Sequence, residues 1–201
     1  MTRRLIYVVG PSGAGKDSVL DGLRQSWSDL PPAHWARRTI TRAARADGER
    51  HESVSPPAFA HLHQSGVFAM HWQANGLRYG VRHAELTPLS DGRCVLVNGS
   101  RAWVPALLRQ WPGCTVVHIT APPDVLMRRL AARSREDAPA IAARLARQVE
   151  FDMPASAIHV INDGPLATAV DTLRAALQAR LAGEGYNLTA VPAAEPKSPV
   201  R

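Results

Sequence analysis

The sequence has few lysines, few cysteines and no long apolar run. Only Lys16 and Lys197 are lysines among its 24 basic residues. Its two cysteines, Cys94 and Cys114, are far apart and adjoin apolar residues, so we predict reduced core residues rather than a disulfide or a metal pair. The first apolar run has five residues and ends before Gly10, which is too short for a signal segment, and no later run reaches membrane-spanning length. These scarcities predict a cytoplasmic protein with no membrane partner.

Basic residues outnumber acidic ones, and aromatic residues are scarce. The formal net charge is +7, the isoelectric point is near 10.4 and aromatic residues make up 5% of the chain. Such a charge favours anionic partners without distinguishing nucleic acids, membranes and small phosphates. Nucleic-acid binding is disfavoured because the chain has no recognisable binding motif and no aromatic platform for base stacking. A length of 201 residues suits one domain with small insertions.

A glycine-rich segment between a predicted strand and a predicted helix carries the clearest chemical signal. It fits the pattern GxxxxGK, which in this context marks a phosphate loop. Its glycines let backbone amides converge on an anion, the helix N-terminus adds positive charge, and Lys16 can reach the β and γ phosphates. The predicted nucleotide-binding residues are Gly10, Pro11, Ser12, Gly13, Ala14, Gly15, Lys16, Asp17 and Ser18.

One position of this loop departs from the pattern. Asp17 stands where the motif has a Ser or Thr whose hydroxyl binds magnesium. A carboxylate is also a hard oxygen ligand, so we predict that Asp17 binds Mg²⁺, directly or through water. The alternative is that Asp17 is only an acid in the first helical turn, where the helix dipole favours it. A predicted strand ends at Asn98, where many P-loop proteins have an aspartate, which suggests that the metal carboxylate has moved to position 17.

Short apolar strands alternate with amphipathic helices along most of the chain. This alternation predicts an α/β fold, a doubly wound parallel sheet with ligands at the carboxyl ends of its strands. The predicted strands are 5–9, 94–97, 115–120 and 157–161, and the predicted helices are 15–27, 101–110, 123–133, 138–149 and 165–182. Periodicity ends near Gly183, so we predict that residues 183–201 are a disordered tail.

The block 36–88 interrupts this alternation and predicts a small separate lobe. Within it, residues 37–51 read as a basic, irregular surface segment, and 56–65 as a short helix. Asn75-Gly76 predicts a hairpin turn. If the lobe folds over the phosphate loop, its basic side chains would hold a phosphorylated acceptor; a solvated loop is the alternative. These side chains are Arg42, Arg45, His51, Arg78 and Arg82.

Two pairs of arginines follow in the second half of the chain. Arg129 and Arg133 are four residues apart, and Arg144 and Arg147 are three apart, so each pair shares one helix face. They fit a mobile lid, 134–149, whose guanidinium groups neutralise a transferring phosphoryl group. An exposed helix with interspersed acidic residues is the alternative.

The histidines show no convincing metal spacing. His61 and His63, two residues apart, come closest, but no neighbouring residue in the sequence completes a site. We therefore predict that the histidines are surface or core residues.

Taken in order, these segments resemble the guanylate kinase-like group of P-loop kinases across residues 4–182. The matching motifs are GPSGAGK, Thr41-Arg42 with Arg45 and Gly48-Glu49, Tyr79-Gly80, Arg129-Leu130 with Arg133, Arg144-Leu145 and Asn162-Asp163. The resemblance implies a core of 1–35, 89–133 and 150–182, an acceptor-binding lobe 36–88 and a lid 134–149 over ATP. It also implies that Arg42, Arg45 and Tyr79 bind an acceptor phosphate and that Asn162 lies near the adenine.

Departures from the group's pattern bear on the acceptor. The glutamate with which guanylate kinases read guanine falls on Met70, and their Ser or Thr after Tyr-Gly is Val81. Losing a carboxylate that pairs with a base edge removes discrimination on the order of thousands-fold, so a purine acceptor is disfavoured. The segments GKDS and LVNGSRA instead resemble those of the ribose 1,5-bisphosphate phosphokinases, in which Asp17 conforms to the pattern.

This closer resemblance implies conversion of ribose 1,5-bisphosphate and ATP into 5-phosphoribosyl 1-pyrophosphate and ADP, with Mg²⁺. Lys16, Arg129 and Arg133 would then stabilise transition-state charge, with no general base, because an acceptor phosphate is already anionic. The acceptor-binding residues would be Arg42, Arg45, Glu49, Arg78, Tyr79, Asn98, Arg101 and Arg144. A guanylate or other nucleoside monophosphate kinase and a non-catalytic guanylate kinase-like binding module are the alternatives, and the intact phosphate loop argues against the second.

Overall fold

The computed structural model describes residues 2–43, 51–132 and 153–182, and these residues form two sheets and five α-helices. The strands are β1 (Leu5–Val9), β2 (Ala33–Trp35), β3 (Arg38–Ile40), β4 (Glu52–Ser53), β5 (Phe68–Ala74), β6 (Leu77–Arg82), β7 (Cys94–Asn98), β8 (Thr115–Thr120) and β9 (Ile158–Ile161). The α-helices are α1 (Lys16–Gln25), α2 (Pro56–Gln64), α3 (Val104–Gln110), α4 (Pro123–Ala131) and α5 (Leu166–Ala182). Short 3₁₀ helices occupy Thr2–Arg4, Trp27–Asp29, His83–Leu89 and Arg101–Trp103.

The larger sheet is parallel and has the strand order β2-β7-β1-β8-β9. All five residues of the central strand β1 are buried, as expected for an apolar run covered on both faces. The register places Val8 beside Asn98 of β7 and Val9 beside His118 of β8. The loops that follow these three strands therefore meet at one edge of the sheet, where a doubly wound fold binds its ligands.

Successive residues of β1 point to opposite faces of the parallel sheet. Ile6 and Val8 belong to an apolar core that also contains residues of α1 and α5. Tyr7 lies on the other face, in a second core that it shares with β7, α3 and the hairpin of β5 and β6. The parallel sheet is therefore covered on both faces.

The smaller sheet is mixed and has the order β4-β3-β6-β5. A two-residue turn at Asn75 (φ 51°) and Gly76 (φ 72°) joins β5 to β6, as Asn-Gly predicts. β3 pairs with β6 in antiparallel fashion and with β4 in parallel fashion. Three separate stretches of chain thus contribute to this sheet.

The predicted strands and helices agree with the observed elements where both are described, but the short strands β2, β3 and β4 are not predicted. The sequence predicts that 37–51 is irregular and basic, but Arg38–Ile40 forms β3, and all three residues are buried. This prediction is wrong because a three-residue strand shows no alternation and its burial depends on pairing with the distant β6. The predicted helix 138–149 and the tail 183–201 lie outside the described residues.

Two further predictions concern the cysteines and the membrane. Cys94 and Cys114 are buried and unbridged, and burial raises the pKa of the Cys114 thiol to about 11, which suits an unreactive core residue. In the described ranges, none of the helices has the length and apolar character needed to cross a membrane.

Candidate active site

The loop after β1 has a backbone that only glycine can adopt at two positions. Gly10 has φ +157°, and a Cβ there would lie 1.9 Å from the carbonyl oxygen of Ile119. Gly15, in the left-handed conformation at φ +81°, begins α1, and a Cβ there would lie 2.5 Å from Nδ2 of Asn162. The loop is therefore pressed against β8 on one side and against the end of β9 on the other.

Lys16 is the first residue of α1, and its amine lies back over the loop. Nζ donates to the carbonyl oxygens of Gly10 at 2.8 Å and Pro11 at 3.1 Å. The ammonium group is thus held at the mouth of the loop beside the amino end of α1, where backbone amides and the helix dipole favour an anion. This is the position that the motif predicts for a phosphate-binding lysine.

Asn162, which follows β9, supports the loop from behind. Its side chain is buried and donates from Nδ2 to the carbonyl oxygen of Ala14 at 2.8 Å. The carbonyl oxygen of Asn162 accepts from Nη1 of Arg129 at 2.9 Å. The structure therefore brings Arg129 and Asn162, both predicted nucleotide-binding residues, together at the loop.

Asp17 and Asn98, 81 positions apart in sequence, are in direct contact. Nδ2 of Asn98 donates to Oδ1 of Asp17 at 2.6 Å. Asn98 is only 9% exposed, and its Oδ1 is buried without a hydrogen-bond partner in the described part of the chain. Asn98 at the end of β7 therefore lies beside Asp17 of the phosphate loop. The sequence predicts Asn98 as an acceptor-binding residue instead.

This pair fits a magnesium ion. Mg²⁺ binds through one or two carboxylates together with waters and substrate phosphates. The site offers one carboxylate and an amide oxygen that lacks a partner. No group of three or more His, Cys, Asp or Glu side chains suited to a metal occurs in residues 2–43, 51–132 and 153–182. Other ligands would therefore come from the nucleotide and water.

Tyr79, a predicted acceptor-binding residue, packs against aromatic and cationic side chains. Its ring stacks on Trp72 with centroids 5.6 Å apart and an interplanar angle of 3°, and the guanidinium carbon of Arg38 lies 5.4 Å from its centroid. Arg38 is 9% exposed and is a buried cation that sequence reasoning missed. The neighbouring Arg78 is exposed, and its amide donates to Oγ1 of Thr41 at 2.9 Å.

Three basic residues of the predicted acceptor patch, Arg42, His51 and Arg82, have partners within the protein. The carbonyl oxygen of Arg42 lies 3.2 Å from Nε2 of His51. Arg82 forms a two-point ion pair with Glu52 at 2.6 and 2.9 Å, and Glu52 also accepts from Thr39 at 2.6 Å. Burial alone would raise the pKa of Glu52, but the hydrogen bonds from Thr39 and Arg82 outweigh it and lower this pKa. Arg82 therefore joins β6 to β4.

His118 and Arg101 lie at the same edge of the parallel sheet. Burial, followed by the charges of His159, Arg101 and Lys16, lowers the pKa of His118. Burial also lowers the pKa of Arg101. Nε2 of His118 is buried and lacks a hydrogen-bond partner in the described residues. The sequence does not predict His118 as a site residue, because it lies within an apolar strand. Only its pairing with Val9 brings it beside the loop.

The positions that would read a purine are core residues here. Met70 and Val81 are both 0% exposed and belong to the same apolar core as Tyr7. Four predicted site residues, Arg45, Glu49, Arg133 and Arg144, lie outside the described residues.

Comparisons with known proteins show the family. No protein-family model matches the chain. It is 47% identical over 172 residues to the ribose 1,5-bisphosphate phosphokinase PhnN of Laribacter hongkongensis, which covers 86% of this chain and 42% of that protein. It is 44% identical over 179 residues to the protein of the same name from Pseudomonas fluorescens. This match covers 86% of this chain and 94% of that protein. It is 44% identical over 177 residues to the bifunctional ribose 1,5-bisphosphokinase-thymidine phosphorylase of Azorhizobium caulinodans, 88% of this chain and 26% of that protein.

The chain thus spans 26% and 42% of two of these relatives and 94% of the third. Among solved structures, guanylate kinase from Anaplasma phagocytophilum matches with a TM-score of 0.63 and 17% identity, over 89% of this chain and 87% of that one. This match confirms the predicted guanylate kinase-like α/β fold. The identity to the Pseudomonas fluorescens protein over almost all of its length shows that this chain belongs to the ribose 1,5-bisphosphate phosphokinase family.

Proposed function

We propose that this protein phosphorylates ribose 1,5-bisphosphate with ATP, giving 5-phosphoribosyl 1-pyrophosphate and ADP. One observation carries the proposal: the phosphate loop is intact in a chain whose match covers 94% of the length of a relative named for this activity. An oxygen of the acceptor's 1-phosphate forms a bond to the γ phosphorus of ATP, and the bond from that phosphorus to the β–γ bridging oxygen breaks. No proton has to be removed, because the attacking phosphate is anionic at neutral pH.

On the donor side, Lys16 would exchange its hydrogen bonds to Gly10 and Pro11 for contacts with the β and γ phosphates. The nucleotide would lie along residues 10–18, with Arg129 beside it and Asn162 near the adenine. Lys16, Arg129 and Arg133 would stabilise the charge on the transferring group, since phosphoryl transfer depends on positioning and electrostatics. The position of Arg129 beside Gly15 supports its part of this assignment.

Asp17, with Asn98 beside it, would hold Mg²⁺. When bound, the ion supplies positive charge for the phosphate oxygens of ATP. The hydrogen bond from Nδ2 of Asn98 to Oδ1 of Asp17 would orient this carboxylate for the ion. The contact at 2.6 Å supports Asn98 as a residue that positions Asp17, in addition to its predicted place among acceptor-binding residues.

The acceptor would lie between basic side chains of the smaller sheet and the lid. We propose that residues 36–88 form the acceptor-binding lobe and that 134–149 close over ATP. The burial of Met70 and Val81 supports an acceptor without a base, because neither side chain can reach a base edge. The proposed acceptor-binding residues are Arg42, Arg45, Glu49, Arg78, Tyr79, Asn98, Arg101 and Arg144.

We also propose that the protein works in the cytoplasm and on small molecules only. Cys94 and Cys114 are buried and neither forms a disulfide, which supports a reducing compartment. A sugar with two phosphate groups and a nucleotide account for the basic character of the chain without a nucleic-acid or membrane partner.

Phosphorus NMR tests the proposed reaction. Incubation with ATP, Mg²⁺ and ribose 1,5-bisphosphate should replace the 1-phosphate resonance with the two mutually coupled resonances of a pyrophosphate, while GMP should remain unchanged. Phosphorylation of GMP at a higher kcat/KM than ribose 1,5-bisphosphate would instead identify a nucleoside monophosphate kinase. ATP binding without phosphorylation of either compound would favour a binding module.

A further inference from the structure

His63 and His71 lie side by side on the surface of the smaller sheet. His63 is in the last turn of α2, His71 is in β5, and both are exposed. Their Nε2 atoms are 3.2 Å apart, whereas their ring centroids are 4.2 Å apart. The two nitrogens are therefore nearer to each other than the two ring centres are. The sequence shows no residue that completes a site at His61 and His63. The structure brings His71 of the next strand beside His63.

The backbone that carries both rings is fixed by a tight turn. Gly66, at φ +67°, ends α2, and its amide donates to the carbonyl oxygen of His63 at 3.0 Å. Phe59 of α2 stacks on Phe68 of β5 with centroids 4.7 Å apart. The helix and the strand that carry the two imidazoles therefore pack directly against each other. A binding site needs such rigid supporting elements.

The separation of the two nitrogens matches the bite of a metal chelate. Zinc binds imidazole nitrogen at about 2.0–2.1 Å, and ligand angles of about 90–109° then place two such nitrogens about 2.9–3.4 Å apart. A proton shared between the rings fits the same separation, so a metal ion would replace that proton. The end of α2 also favours a cation.

We propose that His63 and His71 together form a surface site for a divalent transition-metal ion such as Ni²⁺ or Zn²⁺. Imidazole ligands select these ions over the hard cations Mg²⁺ and Ca²⁺, which prefer oxygen. Water completes the coordination, since the described residues bring no third His, Cys, Asp or Glu to the pair. The bound ion links α2 to β5 and is independent of the phosphate-binding site.

Isothermal titration of the full chain with Ni²⁺, without nucleotide, tests this site. His63→Gln and His71→Gln should each weaken Ni²⁺ binding at least about tenfold, because even outer-shell partners of a metal contribute about that much. His61→Gln is the matched control: it removes an exposed imidazole from the same helix and should leave the affinity unchanged. Mg²⁺ should compete poorly with Ni²⁺ at this site.

Thermal unfolding gives a second measurement on the same variants. Ni²⁺ should raise the melting temperature of the wild type and of His61→Gln more than that of His63→Gln, His71→Gln or the double variant. The loss of binding energy in the double variant should be smaller than the sum of the two single losses, because both side chains serve one ion. Absence of Ni²⁺ binding by the wild type, wild-type affinity in His71→Gln, or an equal loss in His61→Gln would each overturn the proposal.

Discussion

The phosphate loop and the smaller sheet take their shapes from different sources. The loop is shaped by main-chain conformation within residues 10–18, where Gly10 leaves no room for a Cβ. The smaller sheet is shaped by contacts between side chains of separate strands, such as those of Tyr79 with Trp72 and with Arg38. A substitution in the loop should therefore change the binding of anions directly, whereas one in the sheet should act first through packing and stability.

Lys16→Met is the strongest test of the loop side of this comparison. The side chain keeps its length but loses the charge that the motif places at the β and γ phosphates. We expect kcat with ATP and ribose 1,5-bisphosphate to fall at least about 100-fold, the size of effect seen when one charge-stabilising donor is removed. The melting temperature should change little. Turnover near the wild-type rate would contradict the assignment of Lys16.

Met70→Glu tests the sheet side. It restores an acidic residue where guanylate kinases have one, but the side chain would be 0% exposed in an apolar core. We expect a loss of about 3–5 kcal/mol in the free energy of unfolding, measured by urea titration, because the charge is buried without a partner. Met70→Leu, the volume-matched control, should cost less than about 1.5 kcal/mol. A stable Met70→Glu variant that phosphorylates GMP would show that this position faces the acceptor.

Gly10→Ala and Gly66→Ala compare the space around a positive-φ glycine in the two regions, with Gly10 at φ +157° and Gly66 at φ +67°. Both glycines have positive φ, but a Cβ at Gly10 meets a carbonyl oxygen at 1.9 Å, whereas one at Gly66 meets nothing within 4 Å. We expect Gly66→Ala to cost about 1–2 kcal/mol from the left-handed conformation alone. Gly10→Ala should cost more in urea titration and should weaken ATP binding as well. Equal losses would mean that the loop can move away from β8.

Asp17→Ser and Asn98→Asp sharpen the comparison within the site itself. Asp17→Ser should weaken Mn²⁺ binding to the enzyme–ADP complex about tenfold, because it removes the carboxylate proposed as a metal ligand. The double variant Asp17→Ser/Asn98→Asp places the acid at the strand end and should recover most of that affinity. Electron paramagnetic resonance of free Mn²⁺ measures both.

Asp21→Ser is the matched control for this series, since it removes an exposed acid from the same helix. It should leave Mn²⁺ binding unchanged. If the double variant binds Mn²⁺ as weakly as Asp17→Ser, the two positions do not share one metal site. If the wild type shows all of these Mn²⁺ results but does not phosphorylate ribose 1,5-bisphosphate, the metal-site proposal stands and the proposed acceptor is wrong.

The sequence by itself determined the features that depend on neighbouring residues. Local conformation and apolar spacing predict the phosphate loop, the Asn75-Gly76 hairpin, strands β1, β7, β8 and β9 and the helices that follow them. The family motifs are of the same kind, because each is a short run of consecutive residues. The three-residue edge strand β2 carries no such pattern and is not predicted.

Only the tertiary structure decided which distant side chains meet. The contact of Asn98 with Asp17, the burial of Arg38 beside Tyr79 and the pairing of His63 with His71 arise where separate elements pack or pair. No short-range pattern encodes such contacts, because they depend on strand order and register, which are set by the burial of whole faces. The phosphate loop could therefore be predicted from the sequence. The side chains that contact its residues are known only from the tertiary structure.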